Sequence, residues 1–145
     1  MYPDAGIRPS FTLLCDDVRL EFGNRLSFMG VFENLIVERL PVSLIKLVIV
    51  NHWEGTGTGR TEVRILIPDR SAILVASNEP SELDLSAGGS TYNVSIFGNV
   101  VFSQPGPYWI QTLLDSQVVK EFALMVVDAS AGASEQAADG YGSSG

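Results

Sequence analysis

Two runs decide the fold class: Leu44-Ile45-Lys46-Leu47-Val48-Ile49-Val50-Asn51-His52-Trp53 and, beyond a glycine-threonine repeat, Arg60-Thr61-Glu62-Val63-Arg64-Ile65-Leu66-Ile67. The first is almost unbroken apolar sequence and rich in β-branched residues, which keep their preferred χ1 more easily in a strand than in a helix. It reads as a buried strand, interrupted early by Lys46. The second alternates, with Val63, Ile65 and Ile67 on one side and Glu62, Arg64 and Leu66 on the other, as the two-residue period of a strand requires. The intervening Gly55-Thr56-Gly57-Thr58-Gly59 invites comparison with a phosphate loop. It lacks the Lys-Ser/Thr ending and joins strand to strand instead of strand to helix, so a flexible hairpin loop is expected. Arg60 at its end is a candidate binding residue, able to hold a carboxylate or phosphate beside glycines that allow close backbone approach.

The same rhythm runs outward in both directions. Phe11 to Phe22 is expected to pair with Leu26 to Val37 across Gly23-Asn24, a dipeptide that accepts positive φ. Ala72 to Ser77 is a further strand, Ser81 to Ser86 an edge strand, and Thr91 to Phe102 a long strand bent at Gly98-Asn99. Tyr108 to Leu114 returns through Val118 to Val127 as a hairpin with a three-residue connection, Asp115-Ser116-Gln117. The chain is therefore expected to be all-β: an antiparallel β-sandwich of about eight or nine strands, with a partly open barrel as the alternative. Residues 1–10 form an N-terminal arm and 11–127 the sandwich domain. Residues 128–145, made of Ala, Gly, Ser and acidic residues, are expected to be a flexible, disordered tail with too little apolar surface to offset the entropy of ordering.

Nine basic against 17 acidic residues give a net charge of −8, a field that repels phosphate backbones. The basic residues are scattered, with no run or face gathering them. Nucleic acid and membranes are accordingly not expected as partners. No basic segment followed by an apolar one occurs in Met1 to Ser10, no apolar run approaches the roughly 18 residues of a membrane span, and Cys15 has no second cysteine to pair with. These features suit a reducing cytoplasm.

Three phrases carry a resemblance: Leu14-Cys15-Asp16-Asp17-Val18-Arg19, Asn24-Arg25-Leu26-Ser27-Phe28-Met29-Gly30-Val31-Phe32, and Pro105-Gly106-Pro107-Tyr108 with its hairpin. Together they resemble an uncharacterised family of small bacterial proteins, a domain of unknown function, over Phe11 to Val127. The resemblance implies a cytosolic all-β protein without an assigned activity, and it transfers no functional residue.

Asp16-Asp17 interrupts an apolar strand, and a buried carboxylate costs several kcal/mol unless it is paired or solvated. One reading is a calcium or polar-ligand site completed by Glu21, Asp69, Asp84 or Asp115 from sheet-edge turns. The other is a bulge whose carboxylates pair with Arg19 or Arg25 or accept backbone hydrogen bonds. A structural zinc site of His and Cys type is excluded by ligand count, since His52 is the sole histidine and Cys15 the sole cysteine. A Cys15–His52 nucleophile pair would need both side chains within hydrogen-bond reach. Trp109 is the aromatic expected at the surface, because the alternation that buries Tyr108 and Ile110 turns it the other way. The expectation is a non-catalytic interaction module that needs no cofactor and binds a protein partner or self-assembles. The alternative is a small-ligand or calcium-binding sandwich using Asp16 and Asp17.

Overall fold

The computed structural model describes residues 6–130, and the expected tail beyond Ser130 lies outside them. Nine strands follow one another within that range: β1 (Ile7–Cys15), β2 (Asp17–Glu21), β3 (Arg25–Met29), β4 (Asn34–Val37), β5 (Val42–Leu66), β6 (Ile73–Ala76), β7 (Ser81–Phe102), β8 (Gly106–Leu114) and β9 (Gln117–Asp128). The all-β class read from the sequence is what the chain adopts. β1 begins at Ile7, so the last part of the expected N-terminal arm is already strand.

The two runs that decide the fold class are one element. β5 is 25 residues long and passes through Gly55–Gly59 without reversing, which overturns the expected flexible hairpin loop. Its neighbour β7, at 22 residues, likewise joins the two strands expected at Ser81 to Ser86 and Thr91 to Phe102. The two pair from Val42↔Phe102 to Thr61↔Ser81, with a register shift between Gly55 and Gly57. Gly55 (φ 127°) lies opposite Gly89 (φ 123°), so both strands bend at the same level through backbone conformations that a side chain would strain. Glycine here serves a bend inside a ladder, where hydrogen bonding continues, and not a turn.

Along one edge β5 holds first β1 and then β8; along the other it holds β7 and then β6. The bend therefore carries the second half of the sheet over the first. Leu47 and Ile49 from before the bend share one buried core with Val63 and Ile65 from after it, joined by Val100, Phe102, Tyr108, Ile110, Leu124 and Val126. Seven of the nine described strands belong to this single curled sheet, a half-barrel filled by its own inner face. The expected sandwich, built from two separately hydrogen-bonded sheets, gives way to one sheet folded on itself, closer to the partly open barrel. The pairing is not purely antiparallel either, because β4 lies parallel to β9.

The β8–β9 hairpin forms as expected, but Leu114 pairs with Gln117, leaving a two-residue turn of Asp115 and Ser116. Both have positive φ, the conformation that matches the twist of a tight hairpin. The hairpin at Gly23-Asn24 also forms, and it is short. Beyond the β2–β3 ribbon, β1 leaves to pair with β5 and β4 leaves to pair with β9. The ribbon is a separate two-stranded sheet.

Candidate functional site

The outer face of the first half of the sheet is apolar as well. Register places Phe11, Leu13 and Cys15 of β1 beside His52, Val50 and Val48 of β5, and these beside Tyr92, Val94 and Ile96 of β7. A sheet with one packed face normally turns polar residues to water on the other. Here the second face is covered in part by the β2–β3 ribbon, whose Val18 and Phe28 pack with Leu13 and Val94 against the buried Cys15, Val48 and Val50. Phe11, Tyr92 and Ile96 remain exposed, Ile96 to 59%. On the ribbon itself Leu20 follows Val18 on the same side and is 69% exposed, and Phe22 at the turn is fully exposed.

The aromatic rings of this face form a cluster. Phe11 stacks on His52 at 5.0 Å, Tyr92 meets His52 edge-on at 4.7 Å, and Phe28 of the ribbon meets Tyr92 at 5.5 Å. Ser10 lies against the His52 ring, its Oγ on Nδ1, an association that the sequence reading missed because Ser10 falls on a β-bulge opposite His52. The same Oγ donates to the His52 backbone carbonyl at 3.0 Å. The two contacts position the ring.

The structure separates the Cys15–His52 pair. Cys15 is opposite Val48, four residues along β5 from His52, which at roughly 3.3 Å per residue puts about 13 Å between the two positions. The thiol is wholly buried and its pKa is raised, first by desolvation and then by the carboxylates of Asp16 and Asp17. It is a packed thiol, opposite in character to an activated one.

Asp16 and Asp17 do not act together. Asp17 accepts from Lys46 Nζ at 2.7 Å, so neither Arg19 nor Arg25 is the partner, and that bond, ahead of one from the Val18 backbone, lowers its pKa. The lysine that interrupted the apolar run is thus the anchor that ties the ribbon to the sheet. Asp16 sits in the one-residue break between β1 and β2, with its carboxylate against Gly30 and its N–H on the Met29 carbonyl. The turn carboxylates are engaged in their own turns: Asp69 with Ser71, Asp84 with Ser86, and Asp115 with the Arg60 backbone N–H. Among the described residues no group of three or more His, Cys, Asp or Glu is placed to hold a metal ion.

Arg60 points to Glu82 across the β5–β7 ladder at 3.8 Å, both ends well exposed. Trp109 does turn away from Tyr108 and Ile110, but its surface is occupied. Its Nε1 donates to the Pro68 carbonyl at 3.1 Å and the Arg70 guanidinium lies 4.0 Å over the ring. Arg70 in turn makes a bidentate pair with Glu121, which also accepts from Gln111, and these bonds hold the Glu121 pKa down to about 2. This network clamps the 68–70 turn to the β8–β9 hairpin.

The fold and its surface define a small all-β domain with an apolar, partly covered outer face. The chain belongs to the family of unknown function DUF6941, whose model matches residues 10–127. No curated protein matches the sequence. Among solved structures, the Pseudomonas fluorescens alkylpurine DNA glycosylase AlkC bound to DNA containing an abasic site analogue is similar at 7% identity, with a TM-score of 0.49. The match covers 83% of this chain and 30% of that one, a likeness too distant to carry an argument. No helix among the described residues is long and apolar enough to cross a membrane.

Proposed function

We propose that the protein is a non-catalytic interaction module that self-associates through the outer face of β1, β5 and β7. The observation that supports this reading is the apolar outer face itself, of which the ribbon covers Cys15, Val48 and Val50 and leaves Phe11, Tyr92 and Ile96 open. A sheet face of this composition gains by being covered, at roughly 25 cal/mol per Å² removed from water. The charges beside it are neutralised in pairs, Arg8 with Glu54 at 2.8 Å and Lys46 with Asp17 at 2.7 Å. An apolar patch flanked by paired charges selects an apolar partner, and a second copy of the chain carries one. Local repulsion is then small even though the whole chain carries −8.

Sedimentation velocity tests this between about 1 and 100 µM, where association free energies of roughly 5.5 to 8 kcal/mol become visible. The native chain is expected to shift from monomer to dimer across that range. The double variant Tyr92→Glu/Ile96→Glu should stay monomeric with an unchanged circular dichroism spectrum. Ile73→Glu, at an exposed position on β6, should associate like the native chain. A native chain that is monomeric throughout, or an Ile73 variant that dissociates as readily as the double variant, overturns the reading.

A further inference from the structure

The curled sheet does not close, and its seam holds a second feature. β1 at one margin and β9 towards the other approach across a cleft of about 360 Å³, roofed by the segment in which Phe32 N–H bonds the Leu14 carbonyl. Leu14, Phe32 and Phe122 give it apolar walls, Thr12, Glu33 and Asn34 line it too, and Lys120 enters from β9. Lys120 is on the inner face of the sheet because Phe122, Leu124 and Val126 are, two residues apart along one strand. A lysine there gives up hydration, and burial alone lowers its pKa. Arg64, similarly part-buried, donates to Gln111 Oε1 at 2.7 Å, whereas Lys120 makes no ion pair or hydrogen bond among the described residues. Glu33, the carboxylate on the lining, is exposed and does not reach it.

Behind the lysine the core is polar and incompletely bonded. Thr112, the register partner of Lys120, donates to the buried Asn51 Oδ1 at 3.3 Å, and Thr12 on the cleft wall donates to the same oxygen. Among the described residues the Asn51 Nδ2 has no partner, although it has almost no access to solvent. A cation without a partner among the described residues thus lines the cavity, and an orphaned amide lies behind it, bonded through its oxygen to Thr12 of the lining. Buried donors left in this state ordinarily mark a missing acceptor.

We propose that this seam cleft is a binding site for a small amphipathic monocarboxylate, with the acid group on Lys120 and the hydrocarbon body against Leu14, Phe32 and Phe122. One cation balances one negative charge; a dianionic phosphate would leave an excess anion inside a chain already at −8. The volume falls at the small end of the range of ligand pockets, which suits a medium-chain acid. The site is independent of the outer face and of self-association.

The probe is octanoate, with octanol as the uncharged match for its chain and inorganic phosphate as an anion without a hydrocarbon body. Calorimetric titration of the full chain should show one octanoate per chain, with octanol at least about tenfold weaker and no phosphate binding. Amide chemical shifts should move at Thr12, Phe32 and Lys120. Lys120→Met keeps the length and apolar stem, and it should fold with a melting temperature no lower than native while binding octanoate at least about tenfold more weakly; Lys120→Arg should retain binding. No octanoate binding at millimolar concentration overturns the proposal. So does equal binding by Lys120→Met, or phosphate binding as tight as that of octanoate.

Discussion

Replacing Gly55 with alanine separates a bend inside a ladder from a flexible loop, because the two give opposite signs. In a flexible loop, Gly→Ala at an unstrained position stabilises by about 0.4–1 kcal/mol through the unfolded chain. In the observed fold Gly55 has φ 127°, and a Cβ there would lie 2.1 Å from the Gly6 carbonyl oxygen and 3.1 Å from the Ile7 Cα. The backbone strain alone costs on the order of 1–3 kcal/mol. The contact adds to it, since the obstructing atoms are backbone and cannot rotate away as a side chain would. Gly89, directly opposite, is the control. Its φ is 123° but nothing lies within 4 Å of its Cβ position, so Gly89→Ala carries strain without collision. Urea unfolding should place Gly55→Ala at least about 2 kcal/mol below the native chain, and Gly89→Ala between the two. A Gly55→Ala variant as stable as native, or more stable, would refute both the continuity of β5 and the docking of the β1 start against it.

Two further outcomes are expected. Glu121 has its pKa lowered from 4.5 to about 2 by Arg70 and Gln111, so the stability that it contributes is fully present above pH 4.5 and is lost as pH falls towards 2. Acid titration monitored by circular dichroism should therefore show a smaller loss over that window for Glu121→Gln than for the native chain, and parallel losses would remove Glu121 from the clamp. Cys15, wholly buried with a raised pKa, should react with a disulfide reagent far more slowly in the folded protein than in urea. Equal rates would place the thiol outside the layer between ribbon and sheet.

The sequence by itself determined the strand content, the hairpin at β8–β9, the turn at Gly23-Asn24 and the irregularity near Asn99, because each depends on local periodicity or on residues that tolerate positive φ. It showed that Lys46, Asp16 and Asp17 were anomalous in apolar runs. It could not show that Lys46 and Asp17 answer each other, since 29 residues separate them and only the folding of the ribbon over the sheet brings them together. Periodicity likewise cannot tell a glycine-rich reversal from a glycine-rich bend, since both interrupt alternation in the same way. What decides is whether the flanking runs pair with each other, and here the first lies between β1 and β7 and the second mainly between β8 and β6. That tertiary choice turned two expected strands into one, two sheets into a curled one, and an expected sandwich core into the inner face of a half-barrel. It also placed Lys120 at the seam, a lysine that in sequence looks like any polar residue alternating along an edge, and that becomes distinctive only when β1 and the 31–34 segment come to stand opposite it.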